Sequence, residues 1–247
     1  MKYMGSKSRI VSNIAPIIQS YVDKSEKRIY VEPFCGGCNV IDHIRAEKRF
    51  ASDSQKYLIA LYKNLHRFGE LPDFVDKAHY DEVRDCFKTG SHTFEDWYIG
   101  GIGFLASYNG RFFDGGYAGV VRTKAETVRN YYSEAKRNLK AQIPALSDVE
   151  FMCADYRNIS NLTGCVIYCD PPYCGVKQYG VSKNFDHSVF WEWVRKMSDR
   201  NTVLVSEHNA PPDFRCIWAK EVRRTIDNTK RVGAVEKLFI CDAQMSA

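Results

Sequence analysis

Strand-like and helix-like segments take turns along this chain, and the alternation is broken once. Strands alternating with helices imply a mostly parallel sheet covered on both faces. Residues 8–22 carry Ile10, Ile14, Ile17, Ile18 and Tyr21 at helical spacing, with Pro16 marking a kink or a restart. A strand over 28–34, a helix over 40–46, a strand over 49–53 and a helix over 56–68 follow. The pattern then breaks into mixed helix, a Gly- and Phe-rich loop over 107–116, and a helix over 123–143. Strands at 149–155 and 165–169, a helix over 188–197 and a strand over 202–207 resume it, and segments 222–226 and 235–241 suit an antiparallel hairpin. The chain is therefore expected to be α/β, with residues 1–68 and 144–247 forming one domain and a mostly helical subdomain inserted at 69–143.

At 247 residues with 45% hydrophobic content, the chain can bury a substantial core. Its net charge of +5 permits a polyanionic partner without demanding one. No apolar run approaches the roughly 18–20 residues of a membrane span, and the first residues lack the apolar stretch of a signal peptide, so no membrane partner and a cytoplasmic location are expected. Of the nine cysteines, Cys35 and Cys38 form a C-x-x-C. A zinc site needs four ligands, usually as two tight pairs. The other close pair, Cys169 and Cys174, is wider and lies in a different motif, so the cysteines read as thiols and no metal is expected.

Three constellations carry chemistry. In Val31-Glu32-Pro33-Phe34-Cys35-Gly36-Gly37 a strand runs into two glycines and, on the pattern, a helix. Such a turn lets backbone N–H groups approach a ligand at the carboxyl end of a strand, although a Gly-Gly turn also serves tightness alone. Asp53, about 17 residues further on at the end of the next strand, suits the ribose hydroxyls of a nucleoside-bearing cofactor and equally suits a helix cap. The third is the most specific. The strand Val166-Ile167-Tyr168-Cys169 runs into Asp170-Pro171-Pro172-Tyr173. Two prolines fix φ and remove two N–H donors, leaving a rigid loop of carbonyls. An exocyclic amino group is a poor nucleophile because its lone pair is delocalised into the ring. The Asp170 carboxylate and the Pro171 carbonyl can each accept one of its hydrogens and aim the nitrogen at an electrophilic methyl group, while Tyr173 stacks on the base.

These motifs resemble the Dam-type, D12-class adenine-specific DNA methyltransferases. Lys2-Tyr3-Met4-Gly5-Ser6-Lys7 is similar to the N-terminal motif of that family, with Ser6 in place of a glycine. Glu32-Pro33-Phe34-Cys35-Gly36-Gly37 resembles its cofactor loop, Asp170 to Tyr173 its catalytic tetrad, and Val235-Glu236-Lys237-Leu238-Phe239-Ile240 its closing strand. The resemblance implies a Rossmann-like methyltransferase sheet and S-adenosylmethionine as cofactor. It implies Asp170, Pro171 and Tyr173 as catalytic residues, and Tyr3, Lys7, Glu32, Pro33, Phe34, Gly36, Asp53, Asp155 and Asp170 at the cofactor. Without the motif, Lys7 alone would be read as a solvated charge. The implied reaction is methylation of N6 of an adenine flipped out of double-stranded DNA.

The insert keeps Asn109-Gly110-Arg111 but has Tyr117-Ala118-Gly119 where members that read GATC carry Arg-x-Asn, so the resemblance does not extend to a GATC target. Asn109, Arg111 and Arg122 suit base edges, and Lys124 suits phosphates; Lys177, with Tyr179, borders the base pocket expected after the tetrad. Lys136, Arg137 and Arg129 suit either phosphate or solvent. A monomer is expected, and a separate restriction endonuclease is compatible with the sequence. The same tetrad chemistry would serve N4 of cytosine, an RNA adenine or a protein glutamine, and a non-catalytic DNA-binding relative is the reading from another class.

Overall fold

The computed structural model describes residues 1–122, 126–175, 185–225 and 231–241. The sheet is built from strands β1 (Ile29–Glu32), β2 (Lys48–Asp53), β5 (Val149–Cys153), β6 (Cys165–Cys169), β7 (Thr202–Glu207), β8 (Phe214–Thr225) and β9 (Arg231–Cys241). Two short strands, β3 (Val120–Arg122) and β4 (Val128–Asn130), make a separate antiparallel hairpin. The seven-stranded order is β5-β2-β1-β6-β7-β9-β8. The first five strands are parallel, and β9 is antiparallel to both β7 and β8. After β1 the chain steps outward to β2 and later returns to the other side of β1 as β6. A crevice opens at the carboxyl ends of β1 and β6, where the direction of winding reverses. All five residues of β6 are buried, as expected of a central parallel strand covered on both faces.

The helices are α1 (Val11–Lys24), α2 (Lys56–Lys63), α3 (Lys77–Thr89), α4 (Asp96–Leu105), α5 (Tyr131–Gln142) and α6 (His187–Ser198). α1 buries Val11, Ile14, Ala15, Ile18 and Val22 on one stripe and continues through Pro16 as one element. α6 covers the opposite face of the sheet with Phe190, Trp193, Val194 and Met197 packed on Val203, Val205 and Ile167. Residues 69–143 hold α3, α4, the β3–β4 hairpin and α5. They share one continuous core with α1 and α2. From Trp97 to Leu105, α4 is buried at nearly every position, and at Gly100 a Cβ would run into the Tyr57 carbonyl, so glycine lets α4 lie directly on α2.

Three expected helices differ, and that over 56–68 ends at Lys63 and passes into a 3-10 segment, Leu65–Glu70. The segment 40–46 forms only a single 3-10 turn, Ile41–His43. The carbonyls that a helix would use internally are taken by Arg49, whose guanidinium donates to Ile41 O (2.8 Å) and Ile44 O (3.2 Å). The Gly-rich turn is therefore not followed by a helix whose N-terminus faces the ligand. The helix expected over 123–143 starts at Tyr131, because Val128 to Asn130 pair with Val120 to Arg122. The Asn130 side chain then caps the helix by accepting from Ser133 N at 3.0 Å. The closing hairpin is longer than the pattern suggested, with Phe214 paired to Cys241 and Thr225 to Arg231.

Candidate active site

The crevice is a cleft of about 1380 Å³ bounded by the ends of β1, β2 and β6, the N-terminal strap of residues 1–10 and the loop after α4. The strap is held down by side chains: Asn39 donates to Met1 O (2.9 Å) and to Ser6 Oγ (2.9 Å). At Gly110, φ is +66° and a Cβ would collide with the Lys2 carbonyl, so glycine lets the loop after α4 press on the strap.

On the β1 and β2 side, Asp53 spans two loops. Its Oδ2 accepts from Gly36 N (3.1 Å) and its Oδ1 from Gln55 N (3.0 Å). It thus bridges the Gly-rich turn and Gln55, the N-cap of α2. Burial raises its pKa, and hydrogen bonds from the backbone of Gln55, Gly36 and Ser54 counter that rise. Tyr62 donates to Gly36 O at 3.0 Å and holds the turn from behind. Gly36 has φ +43° and lies against the Tyr3 ring, which leaves no room for a side chain between turn and strap. Phe34 packs with Tyr156 (5.2 Å between ring centroids) and Phe185 (5.9 Å), forming an aromatic wall on the cleft. Asp155 borders it and is held by Arg157 through two hydrogen bonds of 2.8 Å.

On the β6 side, Asp170 receives the Lys7 ammonium at 2.8 Å. The same ammonium lies 3.9 Å from Glu236 Oε2 and 4.5 Å from the centroid of the Tyr173 ring. Tyr173 donates to Glu236 Oε2 at 2.8 Å. Behind the tetrad, Cys174 N donates to Glu207 Oε1 at 2.6 Å, and Glu207 also accepts from His208 N. Burial pushes the Asp170 carboxyl up to about 6, against the pull of Lys7, with Glu236 and Glu207 adding to the rise. Glu32 at the end of β1 is fully enclosed; burial holds its carboxyl well above the usual range, and Tyr30 donates to it at 2.7 Å.

Residues 3–94 match the sequence profile of the D12 class N6 adenine-specific DNA methyltransferases. The chain is also 22% identical to the Type II methyltransferase M.MjaIII of Methanocaldococcus jannaschii, over 87% of this chain and 85% of that one. Among solved structures, the Haemophilus influenzae protein HI0767, provisionally described as a methylase, aligns over 94% of this chain and 96% of its own at 10% identity. The TM-score of that alignment is 0.36, too low to define a shared fold.

Every residue expected at the cofactor or in catalysis lines this cleft: Tyr3, Lys7, Glu32, Pro33, Phe34, Gly36, Asp53, Asp155, Asp170, Pro171 and Tyr173. Of the residues expected at DNA, Asn109 and Arg111 line it too, with Asn109 in the left-handed region at φ +55°. Arg122 lies exposed on the β3–β4 hairpin and is not part of the cleft wall. Lys124, Lys177 and Tyr179 lie outside the described residues. Arg129 pairs with Glu134 (2.6 Å) and Lys136 with Asp73 (2.8 Å), so both already hold carboxylates. All nine cysteines are free thiols, and among the described residues no three His, Cys, Asp or Glu gather as a metal site. No helix among the described residues is long and apolar enough to cross a membrane.

Sequence reasoning assigned no role to Glu236 or Glu207. The signal for both was strand parity. Glu236 shares its face with the fully buried Leu238 and Ile240, and Glu207 shares its face with the fully buried Val203 and Val205. An acid on the inward face of a strand otherwise apolar needs a buried partner.

Proposed function

We propose that this chain transfers a methyl group from S-adenosylmethionine to N6 of an adenine flipped out of a specific double-stranded DNA sequence. The observation that carries the reading is the convergence of the Asp170-Pro171-Pro172-Tyr173 loop with the Gly36–Asp53 turn on one cleft. Its volume of about 1380 Å³ exceeds the roughly 300–1,000 Å³ typical of a small-molecule site, leaving room for a nucleoside cofactor and a base together.

The residues present fit the cofactor. Asp53 retains lone pairs beyond its backbone bonds for a pair of ribose hydroxyls. The wall of Phe34, Tyr156 and Phe185 suits a flat base, with Asp155 at its border, and Tyr3 closes the turn at Gly36. Lys7 suits a carboxylate, and Glu32 with Pro33 floors the cleft at the end of β1. When bound, S-adenosylmethionine supplies an electrophilic sulfonium methyl.

The chain's own groups do the rest. Asp170 and the Pro171 carbonyl accept the two amino hydrogens and localise the nitrogen lone pair, while Tyr173 packs on the base. Asp170 must be ionised to accept, so turnover should fall as pH drops through about 6. A base within a duplex cannot reach the end of β6, so the target is everted. Residues 69–143 form the target-recognition part. Asn109 and Arg111 face the cleft from it, and Arg122 lies on its exposed hairpin.

Sequencing DNA from cells that express the chain, with detection of modified adenines in context, tests reaction and target together. N6-methyladenine at one short recurring sequence is expected. Unmodified DNA, or methylation confined to cytosine, would refute the proposal.

A further inference from the structure

β9 runs past its ladder with β7, whose last pair is Glu207 with Lys237. Glu236 is the next residue out, still paired across to Lys220 of β8. Its side chain turns inward and is buried. There it accepts the Tyr173 hydroxyl at 2.8 Å and lies 3.9 Å from the ammonium that holds Asp170 at 2.8 Å. That ammonium also sits 4.5 Å from the centroid of the Tyr173 ring. Lys7, Asp170, Tyr173 and Glu236, drawn from the strap, the loop after β6 and β9, therefore form one closed circuit.

We propose that Glu236 is a positioning residue of the methyl-transfer site: it fixes the plane of Tyr173 and shares Lys7 with Asp170. The proposal rests on the roles given above to Asp170 and Tyr173. The phenol is tethered at its hydroxyl by Glu236 and braced by the His208 ring, 4.6 Å away between centroids and nearly perpendicular. A tyrosine tethered at one end and braced along its ring keeps one plane, as a stacking platform must. Sharing the ammonium has a second effect. Among the described residues, the charged and titratable groups acting with Asp170 are Lys7 and Tyr3 from the strap, Glu32 from β1, Tyr168 and Cys169 from β6, Tyr173 beside it, Glu207 from β7 and Glu236 from β9. Of these only Lys7 is a cation. Each carboxylate that draws on Lys7 loosens its hold on Asp170 and leaves that carboxylate available to an incoming amino group.

The test uses Glu236→Gln, which keeps an acceptor for the Tyr173 hydroxyl but removes the charge, and Glu236→Ala, which removes both. Asp170 is followed in the ligand-free protein by carbon-13 NMR of labelled aspartate, its resonance assigned by its loss in Asp170→Asn. The midpoint, near 6 in the unaltered protein, should fall by about one pH unit in Glu236→Gln, because a like charge is gone and Lys7 is released to Asp170. In turnover on DNA, Glu236→Ala should lower kcat by about 10- to 100-fold while KM for the methyl donor changes less than about threefold. Glu236→Gln should recover most of that loss. An unmoved Asp170 midpoint in Glu236→Gln, an unchanged kcat in Glu236→Ala, or a glutamine no better than alanine overturns the proposal. If the alanine variant does not fold, the glutamine titration decides alone, since it needs neither DNA nor turnover. For the same reason, failure of the unaltered protein to methylate DNA would remove the proposed function while the titration still tests Glu236.

Discussion

Replacing Asp170 by Asn should change the pH dependence of stability in a calculable way. In the folded chain the Asp170 carboxyl is pushed up to about 6 from its ordinary value of 3.8, and its side chain is 21% exposed, so solvent screening is slight. A carboxyl raised on folding binds its proton more tightly in the native state. Its contribution is therefore fully present below pH 3.8 and is lost as pH rises through about 6. The whole loss is about 3 kcal/mol at 1.36 kcal/mol for each pH unit between the two values. Between pH 5 and pH 8, where the fold can be handled, the part that changes is about 1.4 kcal/mol. The amide introduced by Asp170→Asn does not titrate and has no such linkage. The stability of Asp170→Asn minus that of the unaltered chain should thus become more favourable to the variant by about 1.4 kcal/mol from pH 5 to pH 8, whatever its offset at pH 5. Lys7, left without its main partner, sets that offset. Urea denaturation of both proteins at four pH values measures the difference, with m-values checked for constancy. A difference that stays flat, or that moves toward the unaltered chain as pH rises, would refute the argument that burial dominates over Lys7 at this carboxylate.

Two further outcomes follow from the packing around the cleft. Arg49→Met should lower stability by about 3 kcal/mol or more, seen as a fall in the urea midpoint. The buried guanidinium donates to the carbonyls of Ile41, Ile44 and Ala145, and these lose their donors; its partner Asp148 is 63% exposed, so that ion pair adds little. Gly110→Ala should weaken binding of the methyl donor and lower the melting temperature together, because φ is +66° and the new methyl meets the Lys2 carbonyl. An alanine variant that binds the donor as tightly as the unaltered chain would show that the strap need not be pressed home.

Much of the fold was legible because long-range order here follows from local pattern. The apolar run Cys165 to Cys169 and the alternation of strands with helices already demand a parallel sheet, and β6 and β7 have the expected bounds. The helices expected over 40–46 and from 123 failed where a residue ten or fewer positions away took over the backbone. Arg49 claims the carbonyls of Ile41 and Ile44, and β3 claims residues 128–130, and neither pairing leaves a periodic trace. The site was legible where chemistry is concentrated in a short motif, as at Asp170 to Tyr173. It was not legible where the functional group arrives singly from another strand. Glu207 and Glu236 lie 37 and 66 residues beyond Asp170, and only the sheet brings them behind the tetrad.

The most direct measurement is methyl transfer from S-adenosylmethionine carrying a labelled methyl group to double-stranded DNA, followed by digestion and nucleoside separation, with Asp170→Asn alongside. Label in N6-methyl-2′-deoxyadenosine from the DNA, lost in the variant, is the predicted result. Label in N4-methylcytosine, or label in adenine that survives replacement of Asp170, would contradict it.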